Sequence, residues 1–391
     1  VPDRTALEAA AQAGVIKAEQ VPALYDFLVA HANGARAAPS GEEDLRFIRN
    51  FHDVFLATGI VIFALGLAIG IGVYVTGAGF SNPAQGTVVT GALFAGAAAT
   101  MWLLGELFAR RRRLFLPAIA IVCAVTCFAV VAAVLLYTGS VLGRGVEGQD
   151  WDLTQMPPEL RVGILIAAAV AALAPFAFYL RFRLPFSVGL AGGGAAFFVL
   201  AACLVANFEV AMRWLSPLML TLGAILFAIA VAFDARDPAR ATRFSDNGFW
   251  LHFAAAPLIL NGAFGLIGRL FGSGLPSGSG SLIVSAAQND GSAPAHAALT
   301  LLVVLGLAAL SLLINRRVLI VSALITTGVA IGILMSSAGL GEGALAASTL
   351  VVLGALVLIL GASWHSARRA LLGWVKPGGA WARIFPPEAA A

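Results

Sequence analysis

The chain has 391 residues, 60% of them apolar and only 11% charged, with a formal net charge of +4 and a mean hydropathy of +0.92. A soluble fold carries about 25% charged residues, so this composition excludes one and indicates a polytopic membrane protein. The basic balance does not indicate nucleic acid, because the cations sit in short loops between apolar runs, where orientation in a bilayer accounts for them.

Residues 1–50 form the one sizeable polar segment. Leu7, Val15, Ile16, Val21, Leu24, Leu28 and Val29 fit two short helices, near 4–13 and 18–32, broken at Gly14. Such a pair buries little by itself and is expected to pack on the membrane face or on a partner. No signal peptide is expected in this opening stretch. Residues 31–41 read as a linker, and 42–53 (EEDLRFIRNFHD) as a charged lead-in to the first span.

Apolar runs long enough to cross a hydrocarbon core follow near 54–76, 85–109, 114–138, 161–180, 185–206, 215–233, 248–271, 295–314, 318–336 and 345–364. The expected fold class is therefore all-α, a polytopic transmembrane bundle of about ten helices with a small N-terminal helical module. The domain organisation is 1–50 for the module and linker, 51–366 for the bundle and 367–391 for a cytoplasmic tail.

Between the second and third runs stand Arg110, Arg111, Arg112 and Arg113. One arginine at a bilayer centre already costs about 2.5–3.5 kcal/mol, so four in a row must lie in water or among anionic headgroups. With the N-terminus inside, all of the 24 Lys and Arg residues except Arg144, Arg161, Arg213 and Arg269 fall on the inner side. Both termini are then cytoplasmic, and the expected location is a bacterial inner membrane. The basic inner turns at 110–113, 181–183 and 316–317 look repetitive, although topology alone also produces such a pattern. Two five-helix halves of inverted topology would be compatible with the count.

Polar groups inside apolar runs are the candidate functional residues. Glu106 stands four residues before Arg110, where it could relay protons or bind a cation, or form a local ion pair. Glu209 and Arg213 repeat that spacing and are a candidate ion pair. The seventh run contains Asn247, Trp250, His252 and Asn261. Asn261, the deepest strong polar side chain, needs a partner, either bridging helices or lining a pathway. His252 lies on roughly the opposite helix face, with Pro257 between them as a possible kink. The candidate polar pathway or helix-bridging set is thus Glu106, His252 and Asn261.

No cofactor, metal or catalytic residue is expected. The five histidines are scattered, and no H-x-x-x-H, C-x-x-C, Walker or G-x-S-x-G pattern occurs. Cys123, Cys127 and Cys203 lie in apolar runs and imply no disulfide framework. Gly66 with Gly70, Gly189 with Gly193, and Gly328 with Gly332 are G-x-x-x-G pairs that suit close helix packing or oligomerisation, while Gly192, Gly193 and Gly194 suit a close crossing or local break.

The opening RTALEAAAQAGVIKAEQVPALYDFL, with Gly14, Ile16, Glu19 and Gln20 in a G-x-I-x-x-E-Q turn, resembles bacterial polytopic "predicted membrane protein" families of unknown function. The resemblance covers about the first 75 residues and implies a short cytoplasmic helical module ahead of the spans; it imports no activity and no site residues. Two functions remain open: a carrier or channel for a small solute or ion, and a non-catalytic accessory, assembly or sensory subunit. Expected partners are the lipid bilayer and either a protein docked on residues 1–50 or a second copy of the chain.

Overall fold

The computed structural model describes residues 4–36, 51–143, 158–237, 242–270, 293–316 and 366–373, with isolated positions at Leu319, Ala347, Val351, Gly354, Ala355 and Leu358. Regular structure among the described residues is helical, without strands. The N-terminal module is a pair, α1 (Arg4–Gln12) and α2 (Gln20–Arg36), packed on each other. Gly14 breaks them in the left-handed region (φ 74°), where a side chain would be strained. This lets the Val15 N–H reach back to the Ala10 carbonyl at 3.0 Å and close the end of α1.

The apolar runs become α3 (Phe51–Ala78), α4 (Pro83–Gly105), α5 (Phe115–Leu142), α6 (Pro158–Phe182), α7 (Pro185–Ala206), α8 (Phe208–Arg236), α9 (Arg243–Leu270) and α10 (Ala293–Ile314). Among the described residues, seven segments, from His52–Ala78 to Arg243–Ile267, are long and apolar enough to cross a membrane. They correspond to the first seven expected spans, and α10 coincides with the eighth. The runs at 318–336 and 345–364 lie almost wholly outside the described residues, as do the loops around Arg144 and 271–292.

Short turns join α3 to α4, α4 to α5, α6 to α7 and α7 to α8, and the Glu106–Arg181 and Asp234–Arg316 contacts bring the closing turns of α4, α6, α8 and α10 to one end, here termed the basic end. At the opposite end, Asn82 and Asn207 cap α4 and α8. The Asn82 side-chain oxygen accepts from Ala84 N–H at 2.9 Å, and that of Asn207 from Val210 N–H at 3.0 Å. At the basic end, Arg113, Arg183 and Asn315 adopt left-handed conformations with φ of 53°, 56° and 58°. Leu114 and Leu184 then turn extended as the chain enters α5 and α7. The α4 helix does not stop cleanly. Glu106–Arg111 form a π-helical turn, in which the Arg112 N–H donates to Leu107 O at 3.2 Å, so the four arginines emerge from a widened helix end, exposed to solvent.

The helices fall into two groups of four with one pattern of neighbours. In the first, α3 packs on α4 and α5, α4 on α5, and α5 on α6; in the second, α7 packs on α8 and α9, α8 on α9, and α9 on α10. The α6–α7 contact joins the groups. The two groups thus share one order of helix contacts among the described residues, while the ninth and tenth runs that inverted five-helix halves would need lie almost wholly outside them.

Close crossings occur where glycine removes a side chain. A methyl group at Gly194 would lie 2.5 Å from the Ala171 carbonyl oxygen, at Gly189 2.6 Å from that of Trp250, and at Gly139 3.0 Å from the Val88 nitrogen. Gly193 has room, and Gly66 and Gly70 face open space. Of the G-x-x-x-G pairs, Gly189 is a close packing position of α7, together with Gly192 and Gly194; Gly66 and Gly70 meet nothing among the described residues, and Gly328 with Gly332 lie outside them. The Gly192–Gly194 run is a close crossing within an unbroken α7. Alanine at Gly189 or Gly194 should cost about 1–3 kcal/mol by overpacking. Thermal melts in detergent should show a lowered midpoint for either variant and little change for Gly66→Ala.

Candidate functional site

Polar chemistry within the described bundle is concentrated at the basic end. The last turns of α8 place Asp234 against the first turns of α9, where Gly248 presents no side chain; an added Cβ would overlap the carboxylate Oδ1. Into the same space comes Arg316, just beyond α10. The left-handed Asn315 reverses the chain, and the turn is held by the Arg316 N–H donating to Ser311 O at 2.9 Å and the Ser311 hydroxyl donating to Arg316 O at 2.5 Å.

Asp234 is consequently shared by three elements. Arg316 donates from Nε to Oδ2 at 3.0 Å and from Nη2 to Oδ1, a bidentate grip. His252, on α9, places Nε2 3.1 Å from Asp234 Oδ2. The guanidinium also donates from Nη2 to Ser245 O at 3.0 Å and to Ser245 Oγ at 2.8 Å. All three are sealed: relative exposure is 0% for His252, 2% for Arg316 and 7% for Asp234. Phe227 covers the imidazole edgewise, with ring centroids 4.9 Å apart, and Leu319, Ala256 and Phe249 pack around the same α9 face.

The electrostatics follow from this count. Ionised Asp234 and Arg316 cancel, so the cluster is neutral while His252 is neutral and gains one positive charge when the imidazole takes a proton. Asp234 can hold the proton on Nε2 in either state, accepting from it as from an imidazolium. Beside the cluster, Asp237 closes the turn into α9 by accepting from the Thr242 N–H at 2.7 Å and hydroxyl at 2.6 Å. Asn247, buried one turn before Leu251, donates to the Tyr179 hydroxyl at 3.0 Å and so ties α9 to α6. Arg368, in the segment 366–373, donates to the Leu312 carbonyl at the end of α10 at 3.2 Å.

A second, more open cluster surrounds Glu106. Its Oε2 accepts from Arg110 Nη1 at 3.2 Å, the local pair that the spacing suggests, and its Oε1 accepts from Arg181 Nε at 2.6 Å, a contact across helices. Gly105 lets α4 approach the rings of Phe178 and Phe182, which stack with Trp102 just beneath the pair. Arg112 lies over the Phe108 ring at 5.9 Å.

The candidate residues read from sequence are thus separated. Glu106 and His252 are both at the basic end but belong to different clusters. Asn261 bridges nothing among the described residues: its Nδ2 donates to Pro257 O at 2.7 Å, within its own helix. The expected helix bridge would have to come from the ninth or tenth run, both of which lie almost wholly outside the described residues. Glu209 and Arg213 lie in the first turns of α8, and no ion pair joins them.

Asp234, Ser245 and Arg316 were not among the sequence candidates. Asp234 lies one residue beyond the expected end of the sixth span, in a D-A-R-D-P-A-R stretch that reads as loop, and Arg316 reads as one of two turn cations. The available signal was that α8 is still apolar at Ala232 and Phe233, so a carboxylate directly after them has no assured access to water.

The buried pair makes a stability prediction. Asp234→Asn leaves Arg316 a buried, uncompensated cation and should cost about 3–5 kcal/mol, as should Arg316→Gln from the other side. In thermal melts both variants should fall well below Glu106→Gln, whose partners are reached by water, and equal midpoints for all three would contradict this picture. Comparisons with protein-family models, curated proteins and solved structures found no match to this chain.

Proposed function

We propose that this integral membrane protein is a carrier or channel for a small solute or ion, with Asp234, His252 and Arg316 as its proton-responsive element. One observation supports this most: a histidine fully buried at the end of a membrane bundle, bound to a carboxylate that an arginine already neutralises. Holding α8 to the turn after α10 requires only the Asp234–Arg316 pair. The third group, an imidazole able to carry a proton, is one that a static tie does not need and a coupled transport cycle does.

The setting of this reading is a bacterial inner membrane, with the basic end in the cytoplasm and Arg110 to Arg113 among anionic headgroups. A shallow, open depression of about 370 Å³ beside α3, α4 and α5, lined by Thr76, Phe80, Thr87 and Thr90, lies at the opposite end from the cluster. A transport cycle would therefore connect the two ends by helix movement.

A second reading, an accessory or assembly subunit, draws on the N-terminal module. There Val15 is 76% and Phe27 62% exposed, apolar surface suited to a protein partner. Its test is co-purification in mild detergent, where a stable monomer with no companion counts against it. The resemblance of this module to membrane-protein families of unknown function favours neither reading.

The transport reading is checked by purified protein in sealed liposomes, with a pH gradient and a panel of amino acids, sugars, organic acids and monovalent ions. At least one should elicit protein-dependent flux. His252→Gln, which keeps a hydrogen-bonding side chain but cannot take the proton, should fold and lose most of that flux or its pH dependence. Liposomes that conduct nothing on the panel, or a His252→Gln variant with an unchanged pH profile, would sink the proposal.

A further inference from the structure

The two four-helix groups correspond in more than neighbour pattern. In each, an asparagine caps the second helix at the far end, Asn82 for α4 and Asn207 for α8. In each, a carboxylate stands where that helix finishes at the basic end, Glu106 in one and Asp234 in the other. In each, that carboxylate is gripped by an arginine from the close of the fourth helix: Arg181 at the end of α6, and Arg316 just after α10. A left-handed residue, Arg183 or Asn315, ends that fourth helix.

We propose that Glu106–Arg181 and Asp234–Arg316 are counterparts, two latches that hold the basic end of each four-helix group closed. The physical ground is what each pair spans. Within a group the second and fourth helices both lie against the third; in the first group they also meet at the basic end through Trp102, Phe178 and Phe182. There the ion pair reaches from one to the other, so breaking it removes the polar tie between them while the third helix keeps its own contacts.

The latches are unequal by construction. Glu106 and Arg181 keep side-chain exposures of 28% and 42%, while Asp234 and Arg316 keep 8% and 3%. Counting from the start of each third helix, His252 on α9 corresponds to Ala124 on α5, so the first latch has no counterpart of the imidazole and its third member is Arg110, from the same helix as Glu106. One latch is a carboxylate between two arginines, reached by water. The other is sealed and carries the switchable group.

This inference does not depend on transport, and its test uses no solute. Ser187, fully buried near the basic end of α7, is replaced by cysteine in a full chain whose Cys123, Cys127 and Cys203 are alanine, and the reaction with a maleimide is timed in nanodiscs. Closed latches should make labelling slow. Glu106→Gln and Asp234→Asn should each speed it by about tenfold, the effect expected when one interhelical tie is removed from a local opening equilibrium. The exchange of charges, Glu106→Arg with Arg181→Glu, should restore the slow rate. If Asp234→Asn does not fold, Ser245→Ala takes its place, loosening Arg316 while keeping both charges; it too should speed labelling. An unchanged rate in Glu106→Gln would overturn the proposal. So would equal acceleration by Arg110→Gln, since Arg110 binds Glu106 within one helix and crosses to no other.

Discussion

The structure depends most on how a charge is kept at the end of an apolar bundle. Asp234 is nearly sealed from water, and an isolated carboxylate there would cost several kcal/mol. The chain meets that cost by bringing Arg316 from sequence-distant α10, satisfying the guanidinium with Ser245 and shaping the space with Gly248. Much else at this end follows. The turn after α10 must reverse at Asn315, Ser311 must hold it, and α8 and α9 must meet without a side chain between them.

The same need for close approach governs the apolar middle. Hydrophobicity does not drive helices together inside lipid, so packing relies on surfaces that fit, and small residues decide where they meet. Gly189 and Gly192 set α7 against α9, Gly194 sets it against α6, and Gly223 and Gly262 set α8 against α9. These crossings carry α7 between the two four-helix groups. They also fix the depth at which His252, on α9, faces α8, so the site's geometry is inherited from apolar packing some turns away.

How much of this was legible in the sequence follows from which forces are local. Seven spans, the break at Gly14 and the Glu106–Arg110 pair depend on neighbours within one helix or one turn, and the residue pattern exposes them. The Glu106–Arg181 and Asp234–Arg316 pairs join residues 75 and 82 positions apart, and no periodicity marks them. Charge patterning treats Arg316 and Arg368 only as markers of orientation, and it does not reveal that both are also buried structural partners. Asn261 has a partner that periodicity does not advertise either, a carbonyl one turn back in its own helix.

The two carboxylates differ in how their charge is met. Glu106 is bound by two arginines in a half-open setting, where water screens each charge and any protonation change is absorbed by solvent. Asp234 sits where little water reaches, and its charge is met inside the protein by the Arg316 guanidinium and the His252 imidazole. Burial therefore makes the balance of charge there a matter for the cluster's own members. The Asp–Arg pair joins α8 to the turn after α10, and the imidazole brings α9 onto the same carboxylate, so one buried group ties three elements together.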